Sequence, residues 1–129
     1  MDLLIEKTYS TPAVKFDPQN KVLWIEGRSI PENPADFYDP IVEWLKKYFR
    51  EQKNKLEISI KLDYINSGSS KSILTLLKTL KTYTDNGAIC NINWHYEEDD
   101  ESLRDLGRHF KSILKLPFNL VEDSNIWFA

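Results

Sequence analysis

The chain is short of the residues that build staples, phosphate loops and metal sites. One cysteine, Cys90, stands in 129 residues, which excludes an internal disulfide and suits a reducing compartment. Lys and Arg number 17 against 20 Asp and Glu, a formal net charge of −3. No segment gathers basic residues as a binder of the nucleic-acid backbone requires, so nucleic acid is not the expected partner. The longest apolar runs fall far short of a membrane span, and Met1 to Lys7 lack the apolar centre of a signal peptide. The expectation is a cytoplasmic protein with no membrane partner. His95 and His109 have no histidine or cysteine at ligand spacing, and Asp99, Asp100 and Glu101 offer too few oxygens for calcium. No metal or cofactor is expected. Neither a nucleophile–base pair nor a clustered carboxylate pair stands out, so no enzymatic activity is expected.

What the chain does have is a regular alternation of strand and helix patterns. Apolar residues make up 41% and charged residues 29%, without repeats or a linker, which reads as one domain over residues 1–129. Residues 13–16 and 21–26 are β-rich runs joined by Asp17-Pro18-Gln19-Asn20, a hairpin pattern. After the loop Pro31-Glu32-Asn33-Pro34, with Asn33 as a capping residue, Phe37, Ile41, Trp44, Leu45 and Tyr48 predict a helix from about 34 or 40 to 51. Pro40 does not suit a helix interior, so Asp39 is expected as N-cap with Pro40 at the first helical position.

Leu56, Ile58, Ile60, Leu62 and Tyr64 alternate with polar residues and predict a strand with one apolar face. Ile73, Leu76, Leu77 and Leu80 predict a helix closed by Asn86-Gly87. Ala88, Cys90, Ile92, Trp94 and Tyr96 repeat the strand logic. Leu103, Leu106, Phe110 and Ile113 or Leu114 predict a third helix, and residues 116–121 a last strand. Residues 122–129 read as a tail whose Ile126-Trp127-Phe128 is expected to dock on its own domain. Trp44, Trp94 and Cys90 fall on core faces, while Trp24 suits either side.

The order ββαβαβαβ implies a single mixed, mostly parallel sheet. Because the best strands are polar on alternate residues, the helices should lie on one face. Ser59, Lys61, Asn91, Asn93 and His95 are left to solvent or a partner. This one-sided α/β layer is similar to STAS domains, the fold of bacterial anti-sigma factor antagonists.

Between strand and helix lies Tyr64-Ile65-Asn66-Ser67-Gly68-Ser69-Ser70-Lys71. Hydroxyls, a glycine and a lysine at a helix N-terminus suit a phosphate, as ligand or as modification. The segment is not a P-loop, since Gly68 is its only glycine and the spacing to Lys and Ser/Thr is wrong. Nor is it a Ser-x-x-Lys nucleophile, because Gly68 stands three residues before Lys71.

Ser10-Thr11-Pro12-Ala13, Pro31-Glu32-Asn33, Tyr64-Ile65-Asn66-Ser67, Trp94-His95-Tyr96-Glu97 and Leu116-Pro117-Phe118, in that order, resemble the SiaC family of bacterial regulatory phosphoproteins. The resemblance spans about residues 8–122 and implies a switch without chemistry of its own. It implies phosphorylation by a Ser/Thr kinase of the histidine-kinase-like ATPase fold and reversal by a PPM-type phosphatase. It further implies that the unphosphorylated form activates a diguanylate cyclase, raising cyclic di-GMP and favouring aggregation and biofilm formation. The Tyr-x-Asn-[Thr/Ser] motif carries the acceptor onto Ser67, where the family's usual residue is threonine, with Ser69 and Ser70 as alternatives. Gly68 departs from the family's hydroxyl residue. Ser67 is expected to act as N-cap, with Lys71 one turn on to receive part of the phosphate charge. Tyr64, Asn66, Gly68 and Lys71 would surround the site, and Glu32, Asn33 and His95 are candidate partner contacts. Two other functions compete: an anti-sigma-antagonist-like module in partner switching, and a small ligand-binding domain or enzyme on the open sheet face.

Overall fold

A computed structural model describes residues 3–51 and 54–123 of the chain. These residues form six strands and three helices: β1 (Leu3–Ile5), β2 (Ala13–Asp17), β3 (Val22–Ser29), α1 (Pro34–Arg50), β4 (Lys55–Ile65), α2 (Ser67–Asp85), β5 (Ile89–Glu97), α3 (Glu101–Leu114) and β6 (Phe118–Asp123). The strands form one sheet whose spatial order is the chain order. The pairs β1/β2 and β2/β3 are antiparallel, and the pairs from β3 to β6 are parallel. Each parallel step moves the same way across the sheet, so crossovers of one hand deliver every helix to the same face.

That face carries the core. Phe16, Leu23, Ile25, Ile58, Ile60 and Ile92 are fully or almost fully buried under Ile41, Leu45, Leu76, Leu77 and Leu80 of α1 and α2. Each such side chain contributes about 1.5–3 kcal/mol by leaving water. Trp94 fills the space beneath α3: its Nε1 donates to the Leu103 carbonyl at 2.9 Å, and Phe110 meets its ring edge-on. Gly107 lets the helix come this close, since a Cβ there would sit 2.4 Å from Trp94 Cδ1. Cys90 is buried in this core and burial pushes its thiol pKa up, as expected of a packing residue. At α3's end Leu114 is the core residue and Ile113 is exposed.

Among the described residues no helix covers the opposite face, where several polar side chains bond one another. Glu57 Oε1 accepts from Asn91 Nδ2 at 2.9 Å and from Asn93 Nδ2 at 2.8 Å. Asn119 Nδ2 donates to the Oδ1 atoms of both asparagines. Trp24 belongs to this face, its Nε1 donating to Glu26 Oε1 at 2.8 Å.

Several expectations are corrected. The strand β1 has only three residues and pairs on one side, so it left no readable alternation. The helix α1 starts at Pro34, not Pro40: Pro34 needs no N–H at the first position, and Asn33 occupies the N-cap position without a side-chain cap bond. Pro40 sits inside the helix, where it and Asp36 are exposed, so the carbonyl robbed of its helical donor can be hydrated. Trp44 is only partly buried, packing its ring on Phe16 at the rim of the core. Glu122 and Asp123 are not tail but the end of β6, paired with Tyr96 and Glu97; Ile126-Trp127-Phe128 lies outside the described residues. Among the described residues no helix is long and apolar enough to cross a membrane.

Candidate functional site

The connection from β4 to α2 is shaped by a break in strand register. Gly27 pairs with Leu62, but the next residue, Arg28, pairs with Tyr64, so Asp63 is an extra residue in β4. Such a bulge changes which face the following side chain meets. Tyr64 therefore leaves the apolar face, where its spacing had put it, and lies 60% exposed beside Arg28. One residue later Ile65 pairs with Ser29, and the Asn66 N–H donates to the Ser29 carbonyl at 3.1 Å.

Asn66, not Ser67, caps α2. Its backbone is extended, and its Oδ1 accepts from the Ser69 N–H at 2.8 Å. Its Nδ2 donates to the Pro31 carbonyl at 3.1 Å. The amide's oxygen and nitrogen thus hold the helix and the neighbouring loop at once. Ser67 then becomes the first helical residue, exposed, with no hydrogen bond from its hydroxyl to the described residues. Gly68 follows because α1 is against it: a Cβ would sit 2.9 Å from Pro34 Cγ. That contact and the Asn66–Pro31 bond bring the exposed Glu32 and Asn33 to the border of the site.

The other serines are differently placed. Ser69 is fully buried, and its Oγ accepts from Ser29 Oγ at 2.8 Å. Ser29 Oγ also lies 2.6 Å from Tyr38 Oη. With its own proton spent on Ser69, Ser29 must accept from Tyr38, so the chain of hydroxyls runs from α1 through β3 to α2. Ser70 is half-buried and its N–H donates to the Asn66 carbonyl at 3.0 Å. Lys71 is exposed one turn beyond Ser67.

Burial pushes the Tyr38 hydroxyl up to about 12. Below about pH 10 the group is protonated whether folded or unfolded. From there to about 12 the unfolded chain ionises first, so stability falls as pH rises, by about 2–3 kcal/mol from this group alone. Urea unfolding from about pH 9 to pH 12 should show a shallower alkaline decline in Tyr38→Phe than in the natural protein; equal slopes would assign the decline to other groups.

The electrostatics single out this helix. The helices α1 and α3 carry Asp36 and Glu101 in their first turns, whereas α2 has no acidic residue there. The Asn66 side chain engages the Ser69 N–H, and among the described residues the N–H groups of Ser67 and Gly68 have no acceptor. The positive end of the α2 dipole is thus left without an acidic side chain to balance it.

His95 is not part of this cluster. It lies on the open face between Lys61 and Val121, with Nδ1 3.4 Å from Asp123 Oδ1. Among the described residues no group of three or more His, Cys, Asp or Glu could hold a metal. The Ser29–Tyr38–Ser69 chain and the Arg28 pairing were not foreseen, since neither has a signal within its own segment.

Comparison with known proteins gives the family and the fold. Residues 5–123 match the SiaC family, described as regulatory phosphoproteins. An uncharacterised protein of Pseudomonas aeruginosa (strain UCBPP-PA14) is 30% identical over 117 residues, 91% of this chain and 93% of the relative. The solved structure of SiaC of Pseudomonas aeruginosa superposes with a TM-score of 0.85 at 26% identity, covering 97% of this chain and 99% of that one. A chain from the crystal structure of the diguanylate cyclase SiaD in complex with its activator SiaC, also from Pseudomonas aeruginosa, matches with a TM-score of 0.85 at 27% identity, over 96% of this chain and all of that one. With the family matched across nearly the whole chain and the same mixed sheet found in its solved members, this protein belongs to the SiaC family of regulatory phosphoproteins.

Proposed function

We propose that the unphosphorylated protein binds and activates a diguanylate cyclase in the cytoplasm, and that phosphorylation of Ser67 releases it. The kinase has the histidine-kinase-like ATPase fold, a PPM-type phosphatase restores the active form, and the protein has no catalytic turnover of its own. The observation that carries this reading is the exposed, uncommitted hydroxyl of Ser67 at the start of a helix with no first-turn acid. A phosphoryl group adds about −1.5 to −2 charges there, facing free N–H groups and Lys71. Burial and hydrogen bonding of Ser69 count against it as acceptor. Tyr64, Asn66 and Gly68 shape the site, and Glu32 and Asn33 border it as contacts for a protein partner. The likeness to an activator seen with a diguanylate cyclase favours that class of target over an anti-sigma kinase.

Mass spectrometry of protein from its native host tests the reading. Trypsin releases Leu62 to Lys71, which holds Ser67, Ser69 and Ser70 together. Phosphate on Ser67 in one growth condition and its absence in another is the expected result. Phosphate on Ser69 or Ser70 instead moves the switch, and an unmodified peptide in every condition removes it.

A further inference from the structure

Two of the most exposed aromatic side chains share one cation. Tyr9 is 78% exposed, and the Arg28 guanidinium lies 4.7 Å from its ring centroid and 4.9 Å from that of Tyr64. The stack is held in place. Thr8 Oγ1 accepts from the Ser10 and Thr11 N–H groups, and Thr8 N–H donates to the Thr11 carbonyl at 3.0 Å. The Ser10 carbonyl then accepts from the Ile30 N–H at 2.9 Å, tying this turn to the end of β3. Gly27, at φ +128°, lets the segment lie flat on the strand, since a Cβ there would sit 3.0 Å from Lys7 Cδ.

A hollow of about 350 Å³ opens beside the stack, lined by Lys7, Thr8, Tyr9, Arg28 and Asp63. Its charged lining is positive by one unit, Lys7 and Arg28 against Asp63. The guanidinium lies close to both rings, while no described residue accepts a hydrogen bond or ion pair from its edge. That edge is the fork which binds a carboxylate with two parallel bonds. Rigid tyrosines around an arginine are also the composition that concentrates binding energy at protein interfaces.

We propose that Tyr9, Arg28 and Tyr64 form the docking platform for the target enzyme and receive a carboxylate side chain from an acidic segment of it. This rests on the gated-activator reading above and adds where and by what chemistry the target is held. It also makes the gate electrostatic. Ser67 follows Tyr64 by three residues, so a phosphate there repels the acidic segment that Arg28 and Lys7 attract.

The test is site-specific photocrosslinking in the native host with the full chain. Benzoylphenylalanine at position 9 keeps a phenyl ring over Arg28; the same probe at 71 samples α2, and at 113 the exposed side of α3. The expected result is a diguanylate cyclase captured from position 9, with yield falling about tenfold or more in Arg28→Gln and less in Arg28→Lys, both variants keeping the natural circular dichroism and melting curve. Capture from 71 but not from 9 overturns the platform and leaves the activator reading standing. Equal capture in Arg28→Gln overturns the carboxylate receptor, and capture of a different class of protein from 9 overturns the occupant. No cyclase captured from any position overturns the activator reading together with this one.

Discussion

Replacing Gly107 with alanine is expected to lower the stability of the fold by about 2–3 kcal/mol. In an exposed helix the same change would gain about 1 kcal/mol, so the sign itself is informative. The new methyl carbon would lie 2.4 Å from Trp94 Cδ1, 2.7 Å from Trp94 Nε1 and 2.8 Å from Leu120 Cδ2. Leu120 can turn aside. The indole cannot without breaking the bond from its Nε1 to the Leu103 carbonyl and disturbing Phe110 and Phe118, which pack on its ring. The helix must therefore lift off the sheet. Urea unfolding gives the free energy directly, and the cause is checked in a Trp94→Leu background, where the alanine should cost much less. A stabilised Gly107→Ala protein would show that α3 does not pack against Trp94 as described.

Changing Ser67 to alanine should abolish phosphorylation of the 62–71 peptide while leaving stability within about 0.5 kcal/mol. The second half of that expectation follows from the cap: Asn66 bonds the Ser69 N–H, and Ser67 contributes only the first helical residue. Asn66→Ala, by contrast, should cost about 1 kcal/mol. Ser67→Asp divides the two properties in the opposite sense. A carboxylate at the start of α2 is stabilising by about 0.3–1 kcal/mol, so the melting temperature should rise slightly, while affinity for the target cyclase falls. A protein that loses stability and affinity together in Ser67→Asp would point to damage to the fold, not to a gate.

The sequence made much of this architecture readable, and the failures share a cause. The alternation from Leu56 to Leu62 and from Cys90 to Trp94 reports a one-sided sheet because each residue answers to a layer that is either present or absent. Asn86-Gly87 marks the end of α2 because the local backbone needs it: Gly87 has φ +104°. Errors arose where two segments decide jointly. Asn66 and Ser67 are both good caps by type, and the Pro31 carbonyl 35 residues away settles between them. Tyr64 continues its strand's alternation perfectly, yet the register shift at Gly27/Arg28 belongs to the pair β3/β4 and is written in neither strand alone. Asp39-Pro40 looks like a helix start until Pro34 is seen to begin the helix first. The site's outline followed from type and order of residues; its orientation required the neighbours.

The order of strands in the sheet is the order in which the chain is synthesised. A strand leaving the ribosome finds its partner already made, at the open edge of what has folded so far. No strand must be inserted between two others, and no earlier edge has to wait for a distant segment. Each strand can therefore pair once its crossover helix has closed, which limits the time that a hydrophobic strand stays unpaired. The growing sheet exposes one advancing edge, and among the described residues β6 is the last strand added to it.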